Sequence, residues 1–115
     1  MPYKHNQDAC IDGTSLVLDD VGLVPALLVS RFGRTDPGPE PKLSGRYVFT
    51  GGKGAVFTVY DWKATTRWEQ DGIAPEELWA YDEPFEFHVG ANEEGEELAG
   101  DFVRWLKQAL ALQVQ

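Results

Sequence analysis

The sequence predicts an α+β fold: a small antiparallel sheet of three to four strands, ordered β-α-β-β-β-α, with two helices packed on one face. Three observations lead there. Near the C-terminus Leu98, Phe102, Trp105, Leu106, Ala109 and Leu112 recur at spacings of three and four, the single apolar stripe of an amphipathic helix. Between residues 45 and 63, and again from Phe85 to Val89, the apolar period shortens to two, as in strands. Pro25 opens a short apolar run that closes at Gly33, which suits a helix started by proline and ended by glycine.

Taken in order, residues 1–12 are polar and read as a flexible lead-in to one domain spanning 13–115. Leu16, Val17 and Leu18 form a short strand that Asp19 and Asp20 interrupt. The first helix runs from Pro25 to Arg31 or Phe32, because proline lacks the N–H that a first-turn residue does not need. Gly33 caps it. Pro37, Gly38, Pro39 and Pro41 make 34–44 a loop. Tyr47 and Phe49 then face one way, Arg46 and Val48 the other. Gly51-Gly52-Lys53-Gly54 is a hairpin turn, lacking the spacing and following helix of a phosphate-binding loop. In the next strand, 55–63, Val56, Thr58, Tyr60 and Trp62 share one face; Phe57, Val59 and Asp61 share the other. Apolar residues on both faces mark it as central. Residues 64–84 form a long acidic loop with a helical turn at Pro75–Trp79. Leu98, Phe102, Leu106, Tyr47, Val59 and Phe87 are the expected core.

Charge is distributed unevenly. From Glu69 to Asp101 there are twelve carboxylates and no lysine or arginine, while seven of the ten basic residues lie between Arg31 and Arg67. The net charge is -9. Such a field repels nucleic acid and favours a basic protein surface. The longest apolar stretch, Val21 to Val29, contains Pro25 and is too short to span a bilayer. The first twelve residues carry no apolar targeting core, and Cys10 is the single cysteine. A cytoplasmic protein with no membrane contact is expected.

Few residues suggest chemistry. Tyr60-Asp61-Trp62-Lys63 at a strand end offers aromatic faces beside a cation, a surface for an anionic, nucleotide-like ligand to which Arg46 and Arg67 can contribute. The plainer reading makes Tyr60 and Trp62 core aromatics with Lys63 at the rim. His88 lies opposite Phe87 with Glu86 as its same-face neighbour, and a hydrogen-bonded strand-end histidine suits it better than a catalytic base. His5, Asp8, Cys10 and Asp12 match no closed metal pattern, and Glu93, Glu94, Glu96 and Glu97 lack the alternation of a calcium loop. Neither a metal nor a cofactor is expected.

Several segments together resemble a known family. Gly13-Thr14-Ser15-Leu16, a helix ending Arg31-Phe32-Gly33, Lys42, Phe57-Thr58-Val59-Tyr60-Asp61-Trp62-Lys63 and Phe87-His88-Val89-Gly90 are similar to small phage-encoded proteins, also found in bacterial genomes, that carry no settled function. The resemblance covers roughly residues 13–110. The chain departs from the pattern at Val89 and Ala91, where the family tends to have isoleucine and a second glycine, and in its longer acidic loop. What it implies is the fold rather than an activity.

The sequence therefore favours a non-enzymatic acidic interaction protein, of the kind a phage-type inhibitor represents, docking through Glu76, Glu77, Asp82, Glu83 and Trp79 on a basic surface of a host protein. The alternative is a binding protein for a small anionic ligand at Tyr60, Trp62, Lys63, Arg46 and Arg67.

Overall fold

The computed structural model describes residues 3–35 and 41–112. Residues 36–40, the centre of the proline-rich loop, and 113–115 lie outside the described residues, as do the first two residues of the lead-in.

Five strands build one antiparallel sheet: β1 (Lys4–His5), β2 (Ser15–Leu23), β3 (Arg46–Thr50), β4 (Val56–Tyr60) and β5 (Phe85–Ala91), in the spatial order β1-β3-β4-β5-β2. The helices are α1 (Pro25–Phe32), α2 (Pro75–Trp79) and α3 (Ala99–Ala111), with a 3₁₀ segment, Glu93–Leu98, leading into α3. The architecture is the α+β one expected, with one strand more and with the helical turn expected at Pro75–Trp79 standing as a third helix.

That extra strand comes from the stretch expected to be flexible. Lys4 and His5 pair with Thr50 and Phe49 at the edge of β3. Tyr3 is only 4% exposed, its hydroxyl donating to Asp101 Oδ2 at 2.7 Å. Burial, with the Asp101 carboxylate beside it, pushes the Tyr3 pKa up to about 12. The polar composition of 1–12 hid one aromatic that anchors its beginning. β2 is also longer than expected. Asp19 and Asp20 do not end it; they fall where the register with β5 shifts between Leu18 and Val21, and Asp20 takes a positive φ of 54°. The acids turn outward at the irregularity and pairing resumes at Val21.

The register explains the two faces. Tyr47 pairs with Val59, and Val59 with Val89; Phe49 pairs with Phe57, and Phe57 with Ala91. This face is buried and joins Leu28 of α1, Leu78 of α2 and Phe102, Leu106 and Leu110 of α3 in one cluster. Phe102 stacks on Phe57 with centroids 4.4 Å apart and planes 8° from parallel. Leu98 departs from the expectation: it is 37% exposed, because it ends the 3₁₀ segment and so falls off the α-helical stripe.

The opposite face carries Arg46, Tyr60 and His88 in one row and Val48, Thr58 and Gly90 in the next. The 6–14 connection must travel from one sheet edge to the other, four strand spacings or roughly 19 Å. Val48 and Thr58 are both buried, and Thr14 comes down beside Thr58 and Gly90, so this connection covers half of the helix-free face. The other half, around Tyr60 and His88, stays open.

Candidate functional site

The open half of the sheet ends in an aromatic and cationic surface centred on Trp62. β4 stops at Tyr60, and the chain leaves the ladder before Trp62. Lys63 adopts a left-handed conformation, φ 55°, uncommon for a residue with a side chain. Its N–H donates to the carbonyl of Lys42. This turn is why Trp62 is 39% exposed instead of packing as a same-face core aromatic, and it corrects the plainer sequence reading. Trp62 stacks on His88, centroids 5.8 Å apart and planes 20° from parallel, with Tyr60 edge-on to both rings. His88 is therefore held by rings, in place of the hydrogen-bonded strand-end role expected of it.

Two lysines lie over this surface. Lys42 Nζ is 5.7 Å from the Trp62 centroid and 5.8 Å from that of Trp68; Lys63 Nζ is 5.6 Å and 4.8 Å from the same two rings. Each ammonium is thus within cation–π range of both indoles. Arg67 Nε donates to the carbonyl of Leu43 at 3.1 Å, which brings a third basic side chain to the Lys42–Leu43 backbone.

A buried network fixes this geometry. Asp61 is fully buried and accepts from Ser44 N at 2.7 Å, Ser44 Oγ at 2.8 Å and Gly45 N at 3.0 Å. Burial pushes its pKa up, and the hydrogen bonds from Ser44 and Gly45 oppose that. Asp61 thus neither pairs with Lys63 nor faces a ligand; it ties the 42–45 loop to the end of β4. Trp79 completes the tie, its indole N–H donating to Ser44 Oγ at 3.0 Å. At 4% exposure, packed against Tyr47 and Phe87, Trp79 cannot serve the partner contact expected of it. Gly45 is required here, since a Cβ would lie 2.6 Å from the Trp79 ring.

Trp62 stands between two clefts. One, of about 250 Å³, is lined by Thr14, Ser15, Leu43, Arg46, Thr58, Tyr60, Trp62 and Gly90. Its floor is flat because Gly90 lacks a side chain: a Cβ there would meet Thr58 Oγ1 at 2.6 Å. The other, of about 400 Å³, is lined by Trp62, Ala64, Pro84, Phe85, Glu86 and His88. The structure therefore gathers Tyr60, Trp62, Lys63 and Arg46, with Arg67 close by. It adds Lys42, Trp68, Thr14 and Thr58, which sequence reasoning did not assign to a site. Lys42 stands far from Trp62 and Trp68 in the sequence, and nothing local signals that they meet.

The acidic residues are arranged differently. All twelve between Glu69 and Asp101 are exposed. β5 divides them: Glu76, Glu77, Asp82 and Glu83 precede it, and Glu93 to Asp101 follow it, at strand ends roughly 20 Å apart. Among the described residues Asp101 is in an ion pair, with Arg104 at 3.2 Å. Also among the described residues, no three His, Cys, Asp or Glu side chains converge as a metal would need, and no helix is long and apolar enough to cross a membrane. Comparison with protein-family models and with curated protein sequences gives no match.

Proposed function

We propose that this is a non-enzymatic binding protein whose recognition surface is the sheet end around Trp62, and whose ligand is a small anionic molecule with a planar ring, nucleotide-like in character. The observation that carries the reading is the state of Trp62: a large aromatic left over a third exposed, beside two clefts, with two ammonium groups over its ring. Stacking rings beside cations suit a planar anion. Among the described residues His88 packs on the Tyr60 and Trp62 rings with no nucleophile placed against it, so nothing there supports catalysis. Trp62→Ala should abolish binding of nucleoside monophosphates while costing about 1 kcal/mol or less of stability. Paired calorimetric titrations and melting curves check this; unchanged binding would remove the site.

A second reading rests on the outward-facing carboxylates. A phage-type inhibitor docking on a basic host protein would use such a surface, and the family resemblance and a cytoplasmic location belong to this proposal. Its residues are Glu76, Glu77, Asp82 and Glu83, without Trp79. Reversing these four charges should slow association with the partner and flatten its salt dependence, with little change in melting temperature. Stopped-flow association at several ionic strengths decides it: equal rates and slopes would reduce the acidic run to a solubility feature.

A further inference from the structure

We infer that the Trp62 site reads the ring edge of its ligand: a planar, nucleobase-like heterocycle, with an N–H donor next to an acceptor, lies over Gly90 and sets that edge against Thr58 Oγ1 and the carbonyl of Ser15. This inference rests on the binding reading above and specifies the chemistry of its ligand. Two observations carry it. The first is the state of Thr58. It lies within β4 and is only 3% exposed. Among the described residues its hydroxyl nevertheless makes no hydrogen bond. No unpartnered side-chain oxygen among the described residues is sealed in the interior, so the little surface this hydroxyl keeps opens into the cleft that Thr58 lines. A polar group withdrawn from water without a partner is costly. Valine would suit a central strand equally well and would avoid that cost.

The second observation is the gap above Gly90, the cross-strand partner of Thr58. The backbone does not require glycine there, because Gly90 is not among the residues with a positive φ. A Cβ at this position would stand 2.6 Å from Thr58 Oγ1 and 3.2 Å from the Ser15 carbonyl oxygen. Any side chain would therefore cover the hydroxyl, and glycine leaves both oxygens facing one gap. The two oxygens differ in kind. A carbonyl only accepts, whereas a hydroxyl donates or accepts. An anionic oxygen in the gap would meet the Ser15 carbonyl with no proton between them. A ring edge with an N–H beside a carbonyl or an unprotonated ring nitrogen satisfies both: the N–H donates to Ser15 O, and the Thr58 hydroxyl donates to the acceptor. Nucleobases carry such edges. Tyr60 and Trp62 line the same cleft. Arg46, the only charged residue among the described ones that line it, stands one row further along the sheet, paired with Tyr60. That row suits a phosphate attached to the ring, away from the Ser15 carbonyl.

The test is calorimetric titration at fixed, moderate salt with the four nucleoside 5′-monophosphates and with phenyl phosphate, a planar ring and phosphate without a hydrogen-bonding edge. At least one monophosphate should bind, roughly tenfold or more tightly than phenyl phosphate. Thr58→Val should melt at an unchanged or higher temperature, since the lost hydroxyl has no partner in the fold, yet bind that monophosphate roughly fivefold or more weakly. Thr58→Ser keeps the hydroxyl and should bind within about twofold of wild type. Phenyl phosphate should bind Thr58→Val as it binds wild type. Phenyl phosphate matching the best monophosphate, or undiminished monophosphate binding by Thr58→Val, would overturn the edge assignment and leave the binding reading standing. A lower melting temperature for Thr58→Val would overturn it too, by showing that the hydroxyl serves the fold. Failure of every compound to bind would overturn both.

Discussion

Phe102→Ala should lower the unfolding free energy by about 3–5 kcal/mol, the largest loss expected of any single truncation in this chain. Phe102 is fully buried and sits where the sheet, α3 and the N-terminal strand meet. It stacks on Phe57, and Tyr3, Phe49 and Trp105 close around it with centroids 5.2–6.1 Å away. Truncation removes the apolar contact and leaves a cavity walled by other rings, which cannot collapse without moving a strand. Domains of this kind are held by only about 5–15 kcal/mol in total. A fall in melting temperature of roughly 12–20 °C should accompany the loss. Tyr3 docks partly on the Phe102 ring, so β1 should lose hydrogen-exchange protection first. Urea unfolding of the variant beside wild type measures the effect; a loss under about 1 kcal/mol would mean that α3 does not pack on the sheet as described.

Asp61→Ala should cost about 2–4 kcal/mol, through polar rather than apolar loss. The buried carboxylate satisfies three donors from Ser44 and Gly45, and its removal leaves those donors without a partner in a dry interior. The deletion also frees the loop that carries Lys42, so ligand binding should weaken together with stability. Asp61→Asn keeps one acceptor oxygen and should lose roughly half as much. The charge itself opposes folding: burial raises the Asp61 pKa in the folded state, so the folded state takes up that proton first and loses some stability as pH rises out of the acid range. Denaturant midpoints for the three proteins test the account, and equal midpoints would contradict it.

The fold was legible where period and punctuation agreed. Pro25 and Gly33 bounded α1 on the residues expected, and the alternation of Tyr47, Phe49, Phe57, Val59, Phe87 and Val89 identified the buried face. What escaped depended on contacts between distant segments. Tyr3 is one aromatic in a polar stretch, and nothing local says that it reaches Phe102 and Asp101. Asp61 looked like a strand-face acid, whereas its donors lie 16 and 17 residues earlier. Trp79 stood in an acidic helical turn and read as surface, yet Gly45 opens the space that buries it. Trp62 went the other way, from expected core to open surface, because alternation was extended past Tyr60 and the left-handed turn at Lys63 carries no sequence signal of its own. The residue types of the candidate site were thus visible, and their convergence with Lys42 and Trp68 was not.

The most direct test of the central claim is a map of amide and indole N–H chemical shifts during titration with a nucleoside monophosphate. The four tryptophans report separately, since Trp79 and Trp105 are packed away from the open face. Changes should be confined to the surface around Trp62, at Ser15, Lys42, Arg46, Thr58, Tyr60, Trp62, Lys63, Trp68, His88 and Gly90, with Trp79 and Trp105 unmoved. Changes centred on Glu76–Glu83, or no change at saturating ligand, would contradict that claim.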